Sequence, residues 1–113
     1  MTEDELYEMS NYKSKTTGLP ENINVWVRTE VVSHGHSKYR IKISKDKMKW
    51  SGTFTVGKNP TFIAGKDQTN LSNKEIKVII DWVSNYSSLI INHIDGILDS
   101  GEFAYEIQKA RNS

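Results

Sequence analysis

The feature that most constrains the fold is a change of hydrophobic period along the chain. From residue 23 to residue 64, apolar and polar side chains alternate with a period of two, which is typical of half-buried β-strands. After Gly65 the apolar residues recur every three or four positions, which is typical of amphipathic helices. Strands followed by helices predict an α+β domain, in which an antiparallel meander of three or four strands is covered on one face by helices.

The alternating segment predicts strands at residues 24–32, 37–44 and 50–57, with a hairpin around Gly35. A short fourth strand at 61–65 is expected at an edge of the sheet, because Pro60 cannot donate to a ladder. The strand side chains expected to face the helices alternate along the sequence: Val25, Val27, Tyr39, Ile41, Ile43, Phe54 and Val56.

Capping signals place the helices. Ser72 and Glu75 have capping-box spacing before a stripe of Ile76, Ile79, Ile80 and Val83, and the apolar pattern continues to residue 94 with a break near 84–88. A last helix is predicted from Ser100 as its cap. We expect a single domain over 1–113, with a short N-terminal helix and a loop in 1–22, a basic β-meander in 23–65 and a C-terminal pair of helices in 70–111.

Composition excludes several classes of protein. The chain has 113 residues and no cysteine, so disulfide scaffolds, thiolate nucleophiles and cysteine zinc sites are excluded. The first residues are acidic and do not resemble a signal peptide. The segment 76–94 contains Lys77, Asp81, Asn85 and His93, so we do not expect it to span a membrane. A cytoplasmic protein without membrane association is expected.

Charge is distributed unevenly. Residues 28–66 contain nine basic and two acidic side chains, a net charge of +7, while residues 1–27 and 67–113 each carry −3. Alternate residues of the second predicted strand are basic and share one face, about 6.6–6.8 Å apart, close to the spacing of successive phosphates. The candidate ligand-binding residues are this stripe and two neighbours on the preceding strand: His36, Lys38, Arg40, Lys42, Trp26 and Arg28.

In this hypothesis Arg40 donates two parallel hydrogen bonds to phosphate oxygens, and Lys38 and Lys42 act as point charges. Trp26 and Arg28, if they lie on the same exposed face, add a stacking plane for a base. The competing interpretation is an ordinary solvated sheet face, since antiparallel sheets often alternate lysines with core residues.

Other chemistry has weaker support. His34 and His36 are spaced like half of a metal site, but a third ligand such as His93 or Asp81 would have to come from elsewhere, and no H-E-x-x-H pattern exists. No serine lies in a G-x-S-x-G turn. We therefore expect no catalytic residue, no metal and no cofactor.

Short motifs occur along the chain, among them TGLP, VW, RIKIS, NP and a closing EF. They lie at Thr17 to Pro20, Val25, Trp26, His34, Arg40 to Ser44, Asn59, Pro60, Ala64, Gly65, Leu71, Ser72, Trp82, Asn85, Gly96, Glu102 and Phe103. Together these positions resemble a family of short bacterial and prophage proteins with no established activity. The resemblance covers nearly the whole chain, although most matched positions are turn or core residues, and the lysines at 45–49 and the lack of an aromatic residue near His93 depart from the family pattern. The resemblance implies a compact domain encoded by a phage or mobile element and acting in phage–host conflict.

These observations leave three hypotheses of function. The first is a non-enzymatic binding protein that captures an anionic ligand, a nucleotide signal or a nucleic acid, on the basic strand. The second is an inhibitor or regulator that docks on a host or defence protein, similar to an anti-CRISPR or an antitoxin, and uses charge for steering. The third is a minor hydrolase. A homodimer is compatible with the first two, through pairing of the edge strand at 61–64 across a twofold axis.

Overall fold

The described residues of the computed structural model, 9–28, 39–46, 50–64 and 69–112, form an antiparallel sheet of five strands packed with four helices. Sheet order follows chain order, so each strand pairs with its neighbours in sequence. The strands are β1 (Met9–Tyr12), β2 (Ile23–Arg28), β3 (Arg40–Lys45), β4 (Trp50–Thr55) and β5 (Phe62–Ala64). The helices are α1 (Ser14–Thr17), α2 (Asn73–Asn85), α3 (Ser87–Ile94) and α4 (Ser100–Arg111). The predicted α+β class is confirmed, with one strand more than expected.

One face of the sheet, here called the inner face, packs against the helices. Val25, Ile41, Ile43 and Phe54 are at most 1% exposed, as alternation predicts for strands with one buried face. Val27 and Val56 are buried with them, and Tyr39 packs half-buried against this core. From the helices, the most deeply buried apolar side chains are Ile79, Val83, Ile90, Phe103 and Ile107.

The N-terminal region differs from its prediction. Met9–Tyr12 was expected in a helix and loop, but it forms the edge strand β1, paired with β2 through Asn11 opposite Trp26 and Tyr12 opposite Val25. Its sequence lacks the β-branched alternation of the other strands, so the strand depends on its partner rather than on local preference. The rest of the predicted N-terminal helix, residues 1–8, lies outside the described residues, as does the predicted hairpin around Gly35.

A single helical turn, α1, follows β1. It ends at Gly18, whose φ of 81° lies in the left-handed region that favours glycine. Arg111 Nη1, at the end of α4, donates to the carbonyls of Lys15 and Thr16 at 3.0 and 2.9 Å. A Cβ at position 18 would lie 2.6 Å from Arg111 Nε, so glycine also makes room for this clasp.

Helix boundaries follow the capping chemistry. The predicted Ser72–Glu75 capping box is present, and the predicted break falls at Tyr86, between α2 and α3. The expected cap of the last helix is wrong by one residue: Asp99 accepts from the Glu102 amide at 2.8 Å, while Ser100 is the first helical residue. Asp99 takes the cap because it places a carboxylate at the positive end of the helix. None of the described helices is long and apolar enough to cross a membrane.

Candidate functional site

The outer face is the side of the sheet opposite the inner face, and strand register determines which side chains meet there. Trp26 on β2 pairs with Lys42 on β3, and Asn24 pairs with Ser44. Arg28, two residues after Trp26, and Arg40, two residues before Lys42, lie on the same side of their strands by alternation. The outer face therefore brings together the predicted residues Trp26, Arg28, Arg40 and Lys42.

Three of these residues form the cationic end of the outer face: Arg28, Arg40 and Lys42. Arg28 and Arg40 are exposed, and Lys42 is half-buried. On β4, Thr55 pairs with Arg40 and Thr53 with Lys42, so hydroxyl groups border the cations on that side. The remaining predicted site residues, His36 and Lys38, lie outside the described residues.

Trp26 is on the predicted face, but it is not the exposed stacking plane that was expected. Its side chain is only 6% exposed, and its indole N–H donates to Ser44 Oγ at 2.9 Å. Ser44 is itself 2% exposed. Alternation predicts on which side of a sheet a residue lies, but not how closely neighbouring side chains cover it. Trp26 is therefore part of the floor of the face.

A cavity of about 480 Å³, here called the outer cavity, opens beside Trp26 where β2 begins and β3 ends. This volume is within the range of small-molecule sites, roughly 300–1,000 Å³. Apart from Trp26, its lining is polar and was not identified from the sequence: Asn11, Lys13, Glu21, Asn22, Asn24, Ser44 and Asp46. Asn24 alternates with Trp26, and Ser44 alternates with Lys42, so the strand pattern could have placed these two lining residues on this face.

Backbone hydrogen bonds hold the rim of the outer cavity. The Asp46 amide donates to the carbonyl of Asn22 at 2.9 Å, which joins the end of β3 to the start of β2. Asp46 has a φ of 68°, a left-handed conformation that aspartate tolerates better than most residues. The Ile23 amide donates to the carbonyl of Pro20 at 2.9 Å and closes the turn that carries Glu21.

Charge is divided along the outer face. Arg28, Arg40 and Lys42 lie at one end, whereas the cavity end carries two exposed carboxylates, Glu21 and Asp46, and one exposed lysine, Lys13. The face is therefore dipolar rather than uniformly basic. An anionic group is favoured near the cations, and hydrogen-bond donors are favoured near the carboxylates.

His93, considered from sequence as a metal ligand, has a different role. It is 1% exposed and stacks on Phe103, with ring centroids 4.7 Å apart. Its Nδ1 lies 2.8 Å from the carbonyl of Leu98, an acceptor, so Nδ1 carries the proton and Nε2 accepts from the Tyr12 hydroxyl at 2.6 Å. Burial raises the pKa of Tyr12, which keeps this hydroxyl a donor. Among the described residues, no three His, Cys, Asp or Glu side chains are grouped to hold a metal ion.

Comparison with known proteins gives no further assignment. No protein-family model, curated protein or solved structure matches the chain. The resemblance to short prophage proteins therefore stays a prediction from motifs. The candidate site is therefore described by its geometry alone: a sheet face with a cationic end and a polar cavity.

Proposed function

We propose that the protein is a small, non-enzymatic binding protein that captures an anionic ligand, a nucleotide or a nucleic acid, on the outer face of its sheet. The observation that carries the proposal is the convergence of Arg28, Arg40 and Lys42 on one face beside a cavity of about 480 Å³. Action in phage–host conflict, which the motifs imply, is the setting we propose for this capture.

The sheet supplies a rigid support for these cations. Adjacent strands lie about 4.8 Å apart, so side chains that face each other across β2 and β3 can contact one ligand group together. The same two strands are fixed from the other side by Val25 and Ile43, both fully buried. Little conformational entropy of the backbone is then lost when a ligand binds.

The side-chain chemistry suits phosphate. An arginine fork donates two parallel hydrogen bonds to an oxyanion, and lysine adds a compact charge. Lys45, on the same strand, faces the helices: its Nζ donates to Glu75 Oε1 at 3.0 Å and to the carbonyl of Asn70 at 3.2 Å. Lys45 therefore stabilises the contact between β3 and the start of α2, while Lys42 lies on the outer face beside Trp26.

The test is a binding titration with matched variants. Purified protein is titrated with a twelve-residue single-stranded DNA and with a ribonucleoside triphosphate, at low and at moderate salt. Arg40→Ala is expected to weaken binding roughly ten- to a hundredfold, because a charged hydrogen bond contributes about 1.5–3 kcal/mol. Lys42→Ala should act in the same direction. Lys77→Ala, which removes an exposed lysine from α2, is the control and should leave affinity unchanged.

Salt dependence identifies the kind of ligand. DNA binding should fall steeply with salt because several phosphates release counterions, and the triphosphate should respond less. Unchanged affinity in both Arg40→Ala and Lys42→Ala would contradict the proposal and leave an ordinary solvated face. For a protein partner, the same variants would mainly slow association.

A further inference from the structure

We propose that the ligand is a single nucleoside phosphate, with its phosphate on the cationic end of the outer face and its sugar and base in the outer cavity. This inference rests on the proposed function and adds the class of ligand and its orientation. The observation that carries the inference is that the cationic end and the outer cavity follow one another along the same two strands and meet at the pair of Trp26 and Lys42.

The first step compares the length of the site with the length of the ligand. Residues two apart on a strand lie about 6.7 Å apart, so Lys42 and Ser44 are separated by about that distance, and Arg40 and Ser44 by about twice as much. Ser44 lines the cavity, whereas Arg40 belongs to the cationic end. One nucleoside phosphate is long enough to reach from the cations into the cavity beside Ser44, whereas inorganic phosphate contacts only the cations.

The second step is the chemistry of the cavity lining. Asn11, Asn22 and Asn24 offer amide groups that both donate and accept, whereas Glu21 and Asp46 only accept when ionised. Such a lining favours a ligand part that is uncharged and rich in N–H and O–H donors. Ribose hydroxyls and the exocyclic amino groups of bases have these properties.

The third step concerns polymers. A nucleic acid strand lying along the outer face would continue from the cations over the cavity end, where the exposed carboxylates of Glu21 and Asp46 outnumber the single lysine, Lys13. Like charges repel there, and removing phosphates from water beside carboxylates is unfavourable. The carboxylates therefore mark the end of the anionic track after one nucleotide.

The fourth step concerns Trp26, which forms part of the floor of the outer face. Because the Trp26 N–H is already bonded to Ser44, the indole contributes its remaining ring surface to the cavity rather than a hydrogen bond. A ring edge or a sugar can contact that surface without leaving the indole N–H unpaired. Bound nucleotide should therefore change Trp26 fluorescence.

The experiment compares two variants against six probes. The probes are the adenosine, guanosine, cytidine and uridine 5′-monophosphates, inorganic phosphate and a twelve-residue oligothymidylate, each titrated by calorimetry. Glu21→Gln combined with Asp46→Asn removes both carboxylates while keeping similar shapes, and asparagine tolerates the left-handed backbone at position 46. Arg40→Ala tests the cationic end, and unchanged melting temperatures confirm that each variant is folded.

The inference predicts that at least one monophosphate binds more tightly than phosphate and oligothymidylate. The double variant should weaken that monophosphate tenfold or more and leave the other two probes unchanged or tighter. Arg40→Ala should weaken all probes that bind. Fluorescence quenching by the monophosphate should be lost in Trp26→Phe and kept in Trp82→Phe, since Trp82 bonds the carbonyl of Thr17 on the helix side.

Other outcomes separate the two proposals. If Arg40→Ala weakens binding and the double variant does not, the ligand orientation is wrong and the proposed function stands. Tighter binding of oligothymidylate than of every monophosphate also overturns the single-nucleotide inference. If no probe binds, or if no variant changes affinity, both proposals fail.

Discussion

The two faces of β3 differ although their residues alternate along one strand. Ile41 and Ile43, on the inner face, are 1% and 0% exposed, whereas Arg40 and Lys42, on the outer face, are exposed and half-buried. On the inner face, packing against the helices requires apolar side chains at these positions. The side chains of Arg40 and Lys42 instead keep contact with solvent, so chemistry there competes less with packing against the helices. Function is more readily carried by the face that packing leaves unspecified.

Polar groups also behave differently on the two faces. On the inner face, Tyr12 and His93 form a closed pair whose ring nitrogens both have partners. On the outer face, Trp26 and Ser44 bond each other at the wall of a cavity, next to polar side chains that face its space. The inner pair stabilises the fold, and the outer pair borders the outer cavity.

The largest expected effect compares neighbours on β3. Ile41→Ala removes a fully buried side chain and should lower the free energy of unfolding by about 2–5 kcal/mol. Arg40→Ala, one residue away on the outer face, should change it by no more than about 0.5 kcal/mol. Urea denaturation of both variants measures the difference. Equal effects would show that the two faces do not differ in stability as their burial implies.

A smaller effect is expected for the polar pair of the inner face. Tyr12→Phe keeps the ring but leaves the buried Nε2 of His93 without its donor, which should cost about 1–3 kcal/mol. Tyr105→Phe is the control, because Tyr105 is 62% exposed, and it should be close to neutral. A neutral Tyr12→Phe would mean that His93 does not depend on this hydroxyl. Thermal unfolding of both variants measures the difference in their stability.

The smallest effect lies at the rim of the inner face and depends on pH. The backbone N–H of Ser72, with Lys45 adding to it, holds the pKa of Glu75 below its ordinary value of 4.5. A lowered folded-state pKa contributes stability that is present above pH 4.5 and is lost as the pH falls through the folded-state pKa. Glu75→Gln should cost about 0.2–1 kcal/mol at pH 7.

The control for this variant is Glu102→Gln, the same change at the same position of the capping box of α4. The cost of Glu75→Gln should exceed that of the control by the interaction with Lys45, and should shrink as wild-type Glu75 becomes protonated. If Glu75→Gln lowers stability by the same amount at every pH at which the protein is folded, the charge of Glu75 does not contribute to stability. Melting temperatures across an acid pH series provide the measurement.

The inner face was predicted well from the sequence, because buried strand residues must recur at every second position. Val25, Ile41 and Phe54 must lie on one side of their strands, and Ser72 with Glu75 carries a local hydrogen-bonding signal that needs no tertiary context. The strand β1 could not be predicted in this way. Its residues prefer no strand locally, and Tyr12 is held by partners that are distant in the sequence.

The candidate site was predictable only in part for the same reason. Alternation placed Arg40, Lys42 and Trp26 on one face, but it could not show that Trp26 is buried there and bonded to Ser44 on the neighbouring strand. The outer cavity combines residues from 11 to 46 that meet because β2 begins where β3 ends. No single segment carries that information, since it arises from register and turns.

The clasp of Arg111 on α1 has a consequence for the order of folding. Neighbouring strands are also neighbours in sequence, so the sheet can grow through short loop closures that cost little entropy. The clasp instead joins Arg111 to carbonyls 95 and 96 residues away. Contacts across so long a loop are expected to form after the transition state. Removing the Arg111 hydrogen bonds to α1 should therefore raise the rate of unfolding and leave the rate of folding nearly unchanged. The guanidinium then contributes to the kinetic stability of the native state.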